Sequence, residues 1–492
     1  MRIILVFLII FIISQSAFAS VADYIDSYSD FNNSEVYKTF MNVIKGEAVV
    51  SDIEKQSILD NEISSELNSP FIFTDLENCI NIALDKNYEI KIRDKYVDEA
   101  YWLYRNSQFQ LLPDIYYNFD LMNLSGQYLV GGIVTTTTHE VPIQSLAVMQ
   151  WSTINQGKYF FLMAQTRNAL KSSRATLEYT KEQIIRDTVI AYYETLEKKL
   201  EVEVQKTNLF ERLEQLKYTE CRFQAGIGTL YDVKRAQAEL AGAQQDYTET
   251  INYLRLRQAA LANVIGVDIL DAIYPFEIEV DQRVLINPDV DIQRLYKQAL
   301  ESREDIRAKK AEIEAYKAIR SSNYTDIIPE ITLGYQNGLV GTARAGLMDH
   351  NSLTFDIKAH LGKNLLMGTI TQIKADSAVV RAKKLELIDL ERQVKENILT
   401  SYYDSLNALK KVEASKVETE AANVSLELSL ANMKAGEATF IDVIASQNLK
   451  VQANINLIKN MIEYNKAQTK LLFEVGLISP KSVLRGYKTK FY

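Results

Sequence analysis

Two stretches of this chain, 210 residues apart, carry one pattern: Ala225-Gly226-x-x-Thr229-x-x-Asp232-Val233-x-x-x-Gln237 returns as Ala435-Gly436-x-x-Thr439-x-x-Asp442-Val443-x-x-x-Gln447. The same offset carries Tyr192-Tyr193-Glu194-x-Leu196 onto Tyr402-Tyr403-Asp404-x-Leu406, Gln258 onto Gln468, Leu261 onto Leu471 and Gly266 onto Gly476. Earlier positions repeat at an offset of 216: Ala83-Leu84 with Ala299-Leu300, Glu89-Ile90 with Asp305-Ile306, and Pro113-x-Ile115 with Pro329-x-Ile331. The change of offset puts a net loss of six residues into the second half, after its proline. Loops absorb such changes and helices do not. A duplication this long calls for two similar structural units, each packed on its twin.

Neither Gly nor Pro occurs between Gly157 and Gly226, or between Gly368 and Gly436, and both stretches are rich in strong helix formers. A helix of about 65 residues extends for roughly 100 Å and survives only against other helices. Gly226 and Gly436 suit the left-handed position that ends a helix. Thr229 and Thr439 then read as N-caps, with Asp232 and Asp442 in the capping-box position facing the positive end of the helix dipole. Each copy is therefore a helical hairpin, with tips at about 225–229 and 435–439.

Beyond the first tip, Val233, Leu240, Tyr247, Leu254 and Leu261 recur every seven residues, with Leu230, Ile251 and Ile265 alongside. The second copy keeps Val443, Leu457, Tyr464 and Leu471, with Phe440, Met461 and Val475 beside them. A sustained seven-residue seam implies coiled-coil packing. Gln237, Gln258, Gln447 and Gln468 interrupt it, as register-setting or pore-facing positions.

After Pro113 and Pro329 the helical period gives way to alternation. Tyr117, Phe119 and Leu121 fall on one face and Tyr116, Asn118 and Asp120 on the other, over a strand of about 115–124. A second strand is expected at about 144–152 after a Gly/Thr-rich connection, and two more at about 331–340 and 353–361. Period-two patterning with aromatic residues over about ten positions suits a membrane β-barrel. The smallest such barrels have about eight strands, and an open edge is not viable in lipid, so four strands per chain imply several chains sharing one barrel. The alternative is a soluble hairpin packed on the helices.

Export is written into the start of the chain: Arg2, an apolar run from Ile3 to Ile13, then Ala17-Phe18-Ala19 before Ser20 reads as a signal peptide over 1–19. That run is shorter than the roughly 20 residues a spanning helix needs. A net charge of −9 argues against nucleic acid, whose phosphates require clustered cations. Two cysteines, Cys79 and Cys221, exclude a disulfide framework. Residues 20–67 hold ten acids against three bases and form an added extension, and the segment 478–492 is a basic tail.

Taken together, these motifs resemble the outer-membrane efflux protein family, the TolC-like ducts, over roughly Ser69 to Leu477. The resemblance rests on the duplicated A-G-x-x-T-x-x-D-V-x-x-x-Q block, the helix ends at Leu261/Gly266 and Leu471/Gly476, the Tyr-Tyr-acid-x-Leu pair, and Leu112-Pro113 and Ile328-Pro329 ahead of the strands. It implies a mainly α chain with a small β part, in two repeats (68–267 and 287–477) joined by an equatorial connector (268–286). It further implies a homotrimer whose twelve strands form one barrel in the outer membrane, above twelve helices forming a hollow periplasmic cylinder. The implied function is a passive exit duct of a tripartite efflux or type I secretion system. A periplasmic adaptor and an inner-membrane transporter would open its periplasmic tip. Asp442 matches an acidic position at which such ducts are constricted. The chain departs from the family where a second acid and a locking tyrosine and arginine are expected: Ala445, Met433 and Ala438 stand there. Asp442 is thus either a cap like Asp232 or a cap that also lines the pore.

Two other classes compete. An enzyme is disfavoured: His139, His350 and His360 lack zinc-ligand spacing, and no phosphate loop, nucleophile elbow or dinucleotide fingerprint is present. No catalytic residue, cofactor or metal is expected. A periplasmic coiled-coil adaptor or structural protein without a membrane barrel would share the helical hairpins, but it would pair them with β-rich modules that this sequence lacks.

Overall fold

A computed structural model describes residues 71–485, apart from 122–123, 131–132, 141, 155–156, 225, 227, 271, 278, 326–327, 343–345, 359–366 and 436. The expected signal peptide 1–19, the acidic extension 20–67 and the end of the basic tail lie outside the described residues, as do Gly436 and His360. The chain is mainly helical, with a small strand part, and divides into two units. The repeats do not coincide with these units, because each long helix contributes a segment to both.

The first unit comprises residues 71–87, 187–283 and 407–466. Strand β1 (Phe71–Thr74) leads into helix α1 (Leu76–Lys86), whose N-cap Asp75 accepts the Asn78 amide at 2.9 Å. Helices α3 (Lys158–Gln224) and α4 (Leu230–Ile265) make the first hairpin, and α7 (Met367–Ala435) and α8 (Phe440–Glu474) make the second. The break-free composition thus yields helices of 67 and 69 residues. Val202 and Leu209 of α3 close a buried cluster with Ala243, Tyr247 and Leu254 of α4, so the seam positions face inward. At a few kcal/mol for each fully buried large side chain, this stripe rather than helix propensity holds the hairpin.

The C-terminus of α4 is closed by Gly266 at φ +77°, whose amide donates to the Ala262 carbonyl. A Cβ there would lie 2.9 Å from the Lys86 carbonyl carbon, so glycine is required by conformation and by contact. Asn87 donates from Nδ2 to the Val264 carbonyl at 2.7 Å, satisfying one of the orphan acceptors of the helix end. The expected connector holds a strand of its own, β6 (Ala272–Pro275), which pairs in parallel with β1. Tyr192 donates to Glu277, and Lys199 reaches the carbonyls of Pro275 and Glu277 at 2.7 and 2.8 Å. Cys79 is buried and unbridged, its thiol pushed up to about 12 by burial, and is chemically inert.

The second unit comprises residues 88–186, 284–406 and 467 onward. It holds α2 (Tyr88–Phe109), α5 (Ile292–Ser302), α6 (Glu304–Tyr324) and the short α9 (Pro480–Arg485) within the expected tail, besides the strands described below. Here the second repeat closes the end of α8 with a charged device where the first uses Asn87. Arg303, which is 4% exposed, joins α5 to α6. Its Nε and Nη2 grip both oxygens of Asp305 at 3.0 and 2.7 Å. Its Nη1 donates to the carbonyl and carboxylate of Glu474, both at 2.8 Å. The Ser302 hydroxyl takes the Val475 carbonyl at 2.8 Å, and the guanidinium lies 5.8 Å from the Phe473 ring centroid.

Glu182 of α3 stands beside this cluster. Burial pushes its carboxyl up to about 8, with Glu304, Asp305 and Glu178 adding to the shift and Arg303 opposing it. The folded chain therefore holds a proton that the unfolded chain releases near 4.5, so stability falls as pH rises from about 4.5 through about 8. Glu182→Gln should leave thermal stability unchanged at acid pH and raise it by about 2–4 kcal/mol at pH 9. Unfolding midpoints measured across that range check this. A variant that tracks the parent protein at every pH would refute it.

The candidate functional site: strand sheet and hairpin tips

In the second unit, β2 (Asp114–Leu121), β5 (Pro142–Ile154), β7 (Glu330–Thr342) and β8 (Gly346–Lys358) form one antiparallel sheet in the order β2-β5-β7-β8. The expected pairing of the first two strands holds. The Gly/Thr-rich connection, however, is not a loop: β3 (Leu124–Val130) and β4 (Ile133–Glu140) form a second antiparallel pair. The count of two strands in the first repeat is thereby corrected. Threonine is a strong strand former, and Thr135 to Thr137 pair with the chain from Gly126 to Tyr128.

Register assigns the residues to faces, since strand side chains alternate. Ile115 opposes Met149, which opposes Tyr335, which opposes Leu353. Phe119, Leu333, Leu339, Phe355 and Ile357 share that face. The opposite face carries Asn118, Asp120, Gln144, Gln336, Ser352 and His350. Leu353 is 72% exposed and Phe355 is 65% exposed, so among the described residues nothing covers this part of the apolar face. Strands of 13 residues, tilted by about 45°, match a hydrocarbon layer about 30 Å thick. Among the described residues, β2 and β8 each have a strand neighbour on one side only. Among the described residues no helix is long and apolar enough to cross a membrane, which says nothing of strands.

At the first hairpin tip Gly226 adopts φ +75°, and Thr229 caps α4 with the reciprocal bonds of a capping box: the Asp232 amide donates to Thr229 Oγ1 at 3.2 Å, and the Thr229 amide donates to Asp232 Oδ2 at 3.3 Å. At the second tip the Glu437 and Ala438 amides both donate to the Asn432 carbonyl, at 2.9 and 3.3 Å. Asp442 then accepts from the Thr439 hydroxyl at 2.7 Å and the Thr439 amide at 2.8 Å. These bonds, the hydroxyl's foremost, hold its carboxyl below the usual carboxylate range although it is fully exposed. Asp442 is thus a tethered anion at neutral pH.

The interrupting glutamines prove unlike one another. Gln468 is buried: its Oε1 accepts from the Leu285 and Ile286 amides at 3.1 and 2.8 Å, and its Nε2 donates to Ser405 at 2.8 Å. Gln447 is buried as an acceptor for Arg212 at 2.9 Å, whereas Gln237 is exposed and accepts from Lys234. Arg212 also reaches Asn448 at 2.6 Å. Sequence reasoning missed this buried guanidinium, whose repeat counterpart is Ala422. The available signal was a cation at helical spacing within a row of uncharged polar residues, Gln205, Asn208, Gln215 and Thr219. Of the histidines, His350 lies on the polar face of β8 and His139 in β4. Among the described residues no group of three or more His, Cys, Asp or Glu could hold a metal ion.

The chain thus combines an antiparallel sheet that exposes an apolar, aromatic face with two duplicated helical hairpins. Residues 295–476 match the family described as outer membrane efflux protein. No curated protein matches the chain by sequence. Among solved structures it is similar to the Campylobacter jejuni CmeC outer membrane channel, at 13% identity and TM-score 0.71, covering 82% of this chain and 85% of that one. The outer membrane protein VceC from Vibrio cholerae gives 17% identity and TM-score 0.69, covering 82% and 96%. The open state of the Neisseria gonorrhoeae MtrE outer membrane channel gives 16% and 0.66, covering 82% and 89%. At these identities the likeness establishes the fold.

Proposed function

We propose that this chain is one third of an outer-membrane exit duct, a homotrimer in which three copies of the four-stranded sheet close into one barrel. The helices extend into the periplasm. The carrying observation is the sheet itself: an exposed apolar face, a polar face suited to water, and two outer strands that among the described residues lack a strand partner on one side. In hydrocarbon every such group must be satisfied, and joining copies edge to edge does so. The duct is a passive conduit for small solutes or a secreted polypeptide, opened at the hairpin tips by a periplasmic adaptor and an inner-membrane transporter. It performs no catalysis. Fractionation of cell envelopes, with electrophoresis of unheated samples, tests this: a trimer in the outer-membrane fraction is expected, and a soluble monomer refutes it.

Asp442 is the proposed constriction. Three tethered carboxylates at the tips would bind cations and narrow the aperture, and their lowered protonation range keeps them charged through mildly acidic conditions. Asp442→Ala should raise single-channel conductance in planar bilayers and weaken block by multivalent cations severalfold. Asp442→Asn, which retains an acceptor for the cap, should weaken block alone. Currents identical in all three proteins would rule out the assignment and leave Asp442 a helix cap.

A further inference from the structure

We propose that the groove between α3 and α8 in the first unit is a binding site for an amphipathic organic cation, an apolar body carrying a protonated amine with N–H donors. The groove encloses about 460 Å³, within the range of small-molecule sites. Val204 of α3 and Val451, Leu457 and Met461 of α8 wall it, all of them half-buried, with Val280 of the connector at its mouth. The repeat explains why this face is bare. Tyr247 and Ile251, the counterparts of Leu457 and Met461, are packed against Val202 and Leu209 in the first hairpin. In the second copy the same seam positions look onto open space.

Asn208 supplies the polar anchor. It is 7% exposed and lines the groove, and its Oδ1 has no hydrogen-bond partner, while its Nδ2 makes only a long contact of 3.5 Å to Gln205. A buried acceptor left in this state is satisfied by a donor brought in from outside. The charges select the donor. Glu203 and Glu279, both exposed, stand at the groove without an ion-pair partner among the described residues, and the one cation there, Lys450, is neutralised by Glu211 at 2.9 Å. Anions are repelled, and an ammonium group finds two carboxylates beside apolar walls. The site is separate from the tips and does not depend on the duct reading.

Fluorescence anisotropy of the purified full-length protein, titrated with rhodamine 6G, a flat cation bearing N–H groups, and separately with anionic fluorescein, tests the proposal. Saturable binding of rhodamine 6G alone is expected. Asn208→Leu and the double variant Glu203→Gln/Glu279→Gln should each raise its Kd at least tenfold, while Glu391→Gln/Glu396→Gln, equal in charge but outside the groove, should leave Kd unchanged. Should Asn208→Leu fail to fold, the double variant, altered only at exposed positions, decides alone. An affinity unmoved by the groove variants, equal binding of fluorescein, or no saturable binding overturns the site.

Discussion

Replacing Leu353 by Arg is expected to stop the protein from assembling in the outer membrane, whereas the same change at the neighbouring residue, Ser352, is expected to be tolerated. The two lie next to each other near the middle of β8 and point to opposite faces. Leu353 sits in the row of Ile115, Met149 and Tyr335, bare to its surroundings. Arginine on the lipid side near the midplane costs about 2–4 kcal/mol per copy, and in the proposed trimer three copies share one barrel. Ser352 opposes Gln336 on the polar face, where a guanidinium would remain in water and shift ion selectivity instead. Envelope fractionation and gel migration of unheated samples read the outcome. Equal assembly of both variants would mean that the sheet does not contact lipid.

Arg303→Ala should be the most destabilising single change in the helical part of the second unit, by about 3–5 kcal/mol. The guanidinium engages Asp305 and Glu474 within a site that leaves it 4% exposed, so its removal strands two carboxylates beside each other and uncaps the Glu474 carbonyl. Asp305→Asn added to Arg303→Ala should recover part of the loss by removing one of the stranded charges. Asn87→Ala, at the matching place in the first repeat, removes the neutral hydrogen bond to the Val264 carbonyl and strands no charge, and should cost only about 1 kcal/mol. Thermal or denaturant unfolding under identical detergent conditions ranks the three. If the Arg303 and Asn87 variants lose equal stability, the ion cluster contributes nothing beyond a cap.

How much of this was legible in the sequence depended on how local the cause was. The helical hairpins could be read because a run free of Gly and Pro, a left-handed Gly226 and the Thr229–Asp232 cap act within a few residues of one another. The aromatic alternation of β2 was legible for the same reason. The pair β3–β4 was hidden because glycines at the turn and a threonine run gave the mixed signal of a loop. Only cross-strand pairing decides such a segment. Arg212 with Gln447, and Gln468 with Leu285 and Ile286, join residues some two hundred positions apart, and no pattern within either stretch announces the partner. The contrast between Asn87 and Arg303 could have been seen by aligning the two repeats for their differences rather than their identities.

Among the described residues the two free margins of the sheet belong to different strands, so in the proposed ring β8 of one copy meets β2 of the next. Such a head-to-tail ring has rotational order and no mirror, and each of its joints is chemically the same heterologous seam. One consequence is trans-complementation: opposite charges placed on the β8 margin of one variant and the β2 margin of another attract only at a joint where the two variants meet, which favours mixed rings on co-expression.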